Sequence, residues 1–419
     1  MMDDLKNEMT KIGELAKKAA GIIANTDADT KNSWLLAMAD ALDRNHGPIL
    51  AANAGDMARG REKGMSAAMQ DRLELTPERI GAIADALRYV TTLEDPVGHV
   101  LSSTERPNGI RIDKVSVPIG VIGFIFESRP NVTVDAAGLC LKSGNAVILR
   151  GGSEAICSNL ALAECISAAG IAAGMPEGAV QLIPRTEHEA VSVMLKMDAY
   201  IDLVIPRGGE RLIRAVVEQS TIPVIKHYKG VCHVYVDKAA DLDMALRIVE
   251  NGKCQRPGVC NAVETVLIHQ DVLADFAPRF AALMAEKGVE LRADDAFRAI
   301  VPDVKCATED DYYAEYLSLV LAVRTVASVE DAAAHINRYG SGHSDAIVTA
   351  DRAAGEYFLN HVDSSSVYLN ASTRFTDGGE FGMGAEIGIS TDKLHARGPM
   401  GLRELTSYKY KIYGSGQIR

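Results

Sequence analysis

The stretch IGFIFESRPNVTVDAAGLCLKSGNAVILRGG, residues 122–152, decides the fold. It carries two short β-rich runs, VIGFIF (121–126) and NAVILR (145–150), and three more follow: GAVQLIP (178–184), IDLVIP (201–206) and IPVIKH (222–227). Alanine-rich helical segments such as SNLALAECISAAG separate them. Strands and helices taking turns predict a parallel, doubly wound sheet with right-handed crossovers, an α/β fold. The absence of polar alternation within these runs fits strands buried on both faces.

Outward from this core the periodicity changes. Residues 3 to about 92 repeat apolar positions at three-and-four spacing, as in LAKKAAGIIA, SWLLAMADALDRN and PERIGAIADALRYV, which predicts a helical lead-in. GIRIDKVSVPIG (109–120) turns to a period of two and predicts a ribbon or hairpin, and SYKYKIYG (407–414) alternates in the same way. An edge of that kind needs a cover. Past residue 228 a second alternation runs from VCHVYVD through the helices AADLDMALRIVEN and ADFAPRFAALMAEKG to SDAIVTAD, so 228–230 is a candidate boundary between two α/β domains.

Composition narrows the function. Across 419 residues, 44 Lys plus Arg stand against 56 Asp plus Glu, a net charge of -12, so no basic excess is available for a nucleic-acid backbone or an anionic membrane surface. The N-terminus lacks the apolar core of a signal peptide, and no run is read as approaching the roughly 20 apolar residues of a membrane span, so a cytoplasmic protein is expected. The 7 cysteines form no CxxC pair and no zinc-type cluster with histidine along the chain. His335 and His343, in HINRYGSGHS, are read as parts of a structural turn, and no metal is expected.

Two strand-to-helix turns echo each other, Arg150-Gly151-Gly152 and Arg207-Gly208-Gly209. In each, backbone N–H groups and a positive helix end face a place where a phosphate could sit, with an arginine beside it. Glycine pairs also end strands for plain turn geometry, and the usual G-x-G-x-x-G spacing is missing.

The segment KCQRPGVCNA (253–262) holds two cysteines of different standing. Cys254 follows a helix directly, where the dipole disfavours a thiolate. Cys260 follows Pro257 and Gly258 in a tight turn leading into the strand AVETVLI, where backbone N–H groups can serve a reacting carbonyl oxygen. Arg256 and Lys253 lie close in sequence as possible hosts for an anionic leaving group.

G-x-C at the mouth of the second α/β domain, after PIGVIGFIF and SGNAVILR, resembles the aldehyde dehydrogenase superfamily. QRPGVCNAVET, HINRYGSGHSDAIVT, VDSSSVYLNASTRFTDGGEFGMGAEIGIS and KLHARGPMGLRELTSYKY resemble more closely one branch of it, the γ-glutamyl phosphate reductases of proline biosynthesis. The resemblance implies an aldehyde dehydrogenase-like fold: a Rossmann-type NADP-binding domain (1–105, 127–229 and 362–394), a catalytic α/β domain (230–361) and a small β oligomerisation element (106–126 and 395–419). It also implies NADPH-dependent reduction of L-glutamyl 5-phosphate to the semialdehyde through a Cys260 thioester, with release of phosphate. Another acylating enzyme, for instance a CoA-dependent one, is the nearest alternative, and a non-catalytic nucleotide-binding scaffold is a third.

The resemblance carries roles to individual residues. His227, in HYKG, stands where hydrolytic members carry a water-activating glutamate, which favours an acyl phosphate over a hydrolytic reaction. Glu127-Ser128-Arg129-Pro130-Asn131 replaces a Pro-Trp-Asn segment, placing Ser128 and Arg129 toward the cofactor. Either Asn131 donates to the oxyanion, or Arg129 binds substrate charge and backbone N–H groups stabilise the oxyanion. Arg150 leans toward a 2'-phosphate and hence NADP(H), and Glu315 matches a glutamate that holds the nicotinamide ribose. Asn370, Ser372, Thr373 and Arg374 in LNASTRF, with Arg256, are candidates for the glutamyl end of the substrate. The resemblance further implies a homo-oligomer, and an acyl phosphate delivered by a separate glutamate kinase, with transient contact conceivable.

Overall fold

The computed structural model describes residues 2–419. The chain forms two compact units: Met1–Lys226 with Met383–Gly388 and Met400–Arg419, and His227–Gly382 with Ile389–Pro399.

The first unit opens with five helices, Met2–Ile23, Ala28–Arg44, His46–Glu62, Ala67–Leu73 and Pro77–Thr92, the helical lead-in that the spacing predicts. Asp27, Ser66 and Thr76 cap three of them by accepting a backbone N–H of the first turn, and Pro77 starts the last. Its parallel sheet has the spatial order Val180–Leu182, Ala146–Gly151, Val121–Phe126, Leu203–Arg207. Every residue of the two central strands is buried, as a sheet covered on both faces requires.

Three expectations change here. IPVIKH (222–227) forms no strand: Pro223 has no N–H to donate, and pairing stops at one bridge between Val204 and Val224. The helical stretch Ser153–Ala172 is 20 residues long with a mean hydropathy of 1.5, long and apolar enough to cross a membrane, contrary to the sequence reading. It packs inside the unit instead, with Leu162, Ala163 and Ile166 buried, and its Ser158 gives both N–H and hydroxyl to the buried Asp56 carboxylate at 2.7 and 2.6 Å. The β element begins earlier than residue 106 and ends before 126. Val100–Glu105 and Thr406–Tyr413 flank Arg111–Pro118 in an antiparallel three-stranded sheet. Gly120, at φ +134°, then turns the chain into the parallel sheet, so Val121–Phe126 belongs to the latter.

The second unit is built on a seven-stranded parallel sheet in the order Lys305–Cys306, Glu290–Ala293, Val320–Val326, Val263–His269, Cys232–Val236, Ser344–Val348, Ser366–Leu369. Val234, Val266, Ile268, Val323 and Ala346 meet Phe276, Phe280 and Phe297 in one continuous core. Ser366–Leu369 pairs in register with Ser344–Ile347, which places 362–382 in this unit and not with the first as expected. The boundary itself falls between Lys226 and His227, close to the expected 228–230.

Candidate active site

In the second unit the helix Leu242–Cys254 and the strand Val263–His269 are joined by a turn that carries Cys260. Three contacts hold this turn. The Cys232 thiol donates to the Cys260 carbonyl at 3.2 Å. Gly230 lies so close that a Cβ there would overlap the same carbonyl, and its N–H donates to Glu315 Oε1 at 2.7 Å. Thr373 Oγ1 donates to the Asn261 carbonyl at 2.7 Å, while Asn261 Nδ2 donates to Thr376 O at 2.9 Å. The nucleophile candidate is thus fixed by backbone packing and hydrogen bonds from three segments.

The other thiols of known environment are held neutral. Burial raises the Cys254 thiol, with Glu250 adding to the effect, at the helix end where the sequence places it. Burial likewise pushes up Cys140 and Cys232. Cys260, by contrast, lies part-exposed beside two imidazoles: the donor atoms of His227, Cys260 and His343 fall within 4.8 Å of one another. His227 Nδ1 is 2.9 Å from the Ile389 carbonyl. No carboxylate takes the position that the resemblance assigns to a water-activating base; His227 does. His343, read from the sequence as a turn residue, is brought to the nucleophile by the register of Ser344–Val348, and no spacing along the chain signals it. His335 instead packs among Tyr312, Tyr339 and His233, and burial drives its pKa down to about 2.

Arg374 is the cation of this turn. Its Nε donates to Gln255 Oε1 at 3.0 Å and its Nη1 to Asn261 Oδ1. Burial lowers its pKa, the neighbouring Arg256 charge lowers it further, and the Cys260 thiolate opposes them, so the three groups share one electrostatic environment. A cavity of about 250 Å³ opens alongside, lined by Asn251, Gln255, Arg374, Phe375, Asp377 and Glu380. Both signs of charge line it, Arg374 against Asp377 and Glu380. The other LNASTRF residues hold the loop: Asn370 uses its amide on both backbone groups of Thr349, and Ser372 caps the turn Thr373–Phe375. Lys253 departs from the sequence reading. Its Nζ lies 2.5 Å from Glu264 Oε2 with both side chains wholly buried, so it hosts no leaving anion.

In the first unit, Arg150 is buried and donates to Thr186 O at 2.9 Å, while its Nε has no hydrogen-bond partner. A Cβ at Gly151, Gly152 or Gly208 would meet Asn159, Glu154 or Glu127, and the helix Ile156–Ala172 has its first-turn N–H groups of Cys157 and Ser158 on the Asp56 carboxylate, while Glu210–Gln219 begins without a cap from Gly209. The orphaned buried guanidinium N–H of Arg150 and the close-packed glycines fit a dinucleotide. Carboxylates stand in these places as well: Ser128, at φ +42°, gives its N–H and hydroxyl to Glu154 Oε1 at 2.6 and 2.8 Å, and the Gly209 N–H is 3.0 Å from Glu127 Oε2. Asn131 Nδ2 donates to Asp135 Oδ2 at 2.8 Å, and burial raises the Asp135 pKa to about 6 against the opposing Asn131 bond and Arg207 charge. Arg129 is exposed. Nothing in the sequence marks Glu127 or Glu154 as neighbours of these groups, because their contacts form across turns, whereas Asn131 and Asp135 sit four apart on the helix Asn131–Lys142.

A parallel sheet ending in glycine turns, and a second parallel sheet carrying a cysteine at a tight turn, define the class. The chain belongs to the aldehyde dehydrogenase family, whose model matches residues 3–299. Within that family it stands with the gamma-glutamyl phosphate reductases. It is 58% identical over 412 residues to the protein of that name from Moorella thermoacetica, covering 98% of this chain and 99% of the relative. It is 56% identical over 412 residues to the one from Geotalea daltonii, with coverage of 98% and 99%. The crystal structure of the Thermotoga maritima gamma-glutamyl phosphate reductase matches with a TM-score of 0.97 at 44% identity, covering 98% of this chain and 100% of that one.

Proposed function

We propose that this chain reduces L-glutamyl 5-phosphate to L-glutamate 5-semialdehyde with release of phosphate, in proline biosynthesis, with NADPH as the nicotinamide cofactor. The observation that carries this reading is the turn at Cys260: a part-exposed thiol, an arginine, Arg374, bonded to the adjacent Asn261, and the imidazole of His227 within reach of the sulfur.

The Cys260 thiolate attacks the acyl carbon, the carbon–oxygen bond to phosphorus breaks, and inorganic phosphate leaves a thioester behind. Arg256 and Arg374 offset the charge of substrate and leaving group, Arg374 at the glutamyl end and the exposed Arg256 toward phosphate. With His227 in place of the water-activating carboxylate of hydrolytic relatives, the thioester is spared hydrolysis. NADPH, when bound, supplies the hydride that reduces the thioester, after which the carbon–sulfur bond breaks and the thiolate is regenerated. We assign the developing oxyanion to backbone N–H groups of the Cys260 turn; Asn131, the alternative donor, gives its amide to Asp135.

For the cofactor we assign Arg150, Gly151, Gly152, Arg207, Gly208 and Gly209 to the phosphates, Arg150 giving the preference for the 2'-phosphate, with Ser128 and Arg129 as further cofactor residues of the first unit and Glu315, in the second, assigned to the nicotinamide ribose. Glu315 combines this with holding Gly230. The exposed Tyr408, Tyr410 and Ile412 of Thr406–Tyr413 mark an edge that a second copy would cover, so a homo-oligomer is proposed. The seven cysteines are free thiols, in keeping with a reducing cytoplasm. A separate glutamate kinase supplies the acyl phosphate, through transient contact.

The reverse reaction tests the reading: phosphate, CoA and water are compared as acyl acceptors with the semialdehyde and NADP+. Phosphate alone should support turnover, and Cys260→Ala should lower it by on the order of 10⁴-fold or more while Cys254→Ala stays near wild type. Turnover with CoA in place of phosphate would overturn the assignment.

A further inference from the structure

His227, Cys260 and His343 reach one another from three separate segments of the second unit, and the reaction above calls on the thiol alone. Both imidazoles are oriented as metal-binding histidines are, with the second ring nitrogen engaged by an outer partner. His227 Nδ1 lies 2.9 Å from the Ile389 carbonyl, so that nitrogen carries the hydrogen and Nε2 the lone pair. His343 Nδ1 is 2.8 Å from Ser344 Oγ, which is 2.6 Å from Thr376 Oγ1, itself 2.6 Å from the Tyr368 hydroxyl. That chain of hydroxyls fixes the buried ring of His343. The rings meet edge to face, with centroids 5.7 Å apart.

The donor set selects the ion. One thiolate and two neutral imidazoles, with no carboxylate, suit a borderline or soft divalent cation and not Mg²⁺ or Ca²⁺. Zn–N bonds of about 2.0–2.1 Å and a Zn–S bond of about 2.3 Å in tetrahedral array put the donor atoms roughly 3.3–3.6 Å apart. The three atoms lie within 4.8 Å, so a closure on the order of 1 Å suffices. The side chains of His227 and Cys260 are both only part-buried, so rotation about the Cys260 Cα–Cβ bond can supply it with the backbone of the turn left in place.

We propose that His227, Cys260 and His343 form a three-ligand site for a divalent cation of the Zn²⁺ class, its fourth position open to water, and that occupancy reversibly withdraws the Cys260 sulfur from reaction. Binding forms a metal–sulfur bond and releases the thiol proton to solvent; nothing is oxidised or reduced. The inhibitory consequence rests on Cys260 being the nucleophile, whereas binding itself does not.

The full-length protein is titrated with Co²⁺ alone and then with Zn²⁺ as competitor. One Co²⁺ per chain should give a thiolate-to-metal absorption band and tetrahedral d–d bands, which Zn²⁺ removes. The band should vanish in Cys260→Ala and persist in Cys306→Ala, which removes an exposed thiol of the same unit. Apparent affinity should fall by more than ~10-fold in His227→Gln and in His343→Gln. Because His343 is wholly buried, the part-exposed His227 provides the arm that does not depend on refolding of the core. Zn²⁺ should also block alkylation of Cys260 and turnover alike, both restored by chelator. A band surviving Cys260→Ala, affinity unchanged in both histidine variants, or no band at all would overturn the site and leave the nucleophile standing. Stoichiometric binding with turnover intact would instead overturn the inhibitory claim together with the role given to Cys260.

Discussion

Lys253 Nζ and Glu264 Oε2 lie 2.5 Å apart with both side chains fully removed from solvent, joining the helix before the Cys260 turn to the strand after it. Burial pushes the Glu264 carboxyl up to about 7 and the Lys253 ammonium down, each partner opposing the other's shift. Removing one partner strands the other, so Lys253→Ala should cost about 3–5 kcal/mol. Replacing both, as Lys253→Met with Glu264→Leu, should be neutral or stabilising by about 1–4 kcal/mol. Urea unfolding of the single and double variants checks both outcomes, and a mild Lys253→Ala would show that the pair is solvated.

Gly230 and Cys260 make a second constraint. A methyl group at residue 230 meets the Cys260 carbonyl, a backbone atom that cannot swing aside as a side chain does. Gly230→Ala should therefore displace the nucleophile's turn, lowering kcat/KM by about 100-fold. Its stability cost should be about 1–3 kcal/mol. Steady-state kinetics beside thermal unfolding separates the two effects.

Arg374 and Arg256 should behave differently although they share one field. Arg374→Ala breaks the bonds to Gln255 and Asn261 and should both raise KM for the acyl phosphate and lower stability by about 1–3 kcal/mol. Arg256 is exposed, so Arg256→Ala should change stability by less than about 0.5 kcal/mol while raising KM for phosphate in the reverse reaction. Equal stability losses in the two variants would contradict this division.

Asp135 gives a pH dependence. Its folded pKa, about 6, is raised from 3.8 mainly by burial. A raised folded pKa contributes stability that is present below the unfolded pKa and lost as the pH climbs through the folded one. Between about pH 4 and pH 6, wild type should therefore lose stability that Asp135→Asn, which keeps an acceptor for Asn131, does not lose. Urea midpoints of the two proteins at pH 4 and pH 7 check the sign: the variant should gain relative to wild type at the higher pH.

Local pattern carried much of this molecule. The switch from helical spacing to buried β runs marks the parallel sheets, because strands covered on both faces must be apolar throughout, while the turn after Pro257 and Gly258 separates Cys260 from the helix-end Cys254 and only the family resemblance points to it as the nucleophile. What pattern misjudged depends on partners distant along the chain. IPVIKH reads as a strand, yet Pro223 limits it to a bridge; Ser366–Leu369 joins the second sheet because its register with Ser344–Val348 fixes it there; and the apolar Ser153–Ala172 packs one face, with Leu162, Ala163 and Ile166, against the rest of its unit.

The sequence by itself determined two α/β units, their glycine turns and the identity of the thiol. Only tertiary structure decided that Lys253 is half of a buried ion pair, that His343 stands beside Cys260, and that carboxylates from Glu127 and Glu154 occupy the glycine turns. The physical reason is common to all three. Hydrogen-bond and apolar periodicity are short-range properties written into neighbouring residues, whereas the field around a charge is set by whichever groups the folded sheets bring within a few ångströms.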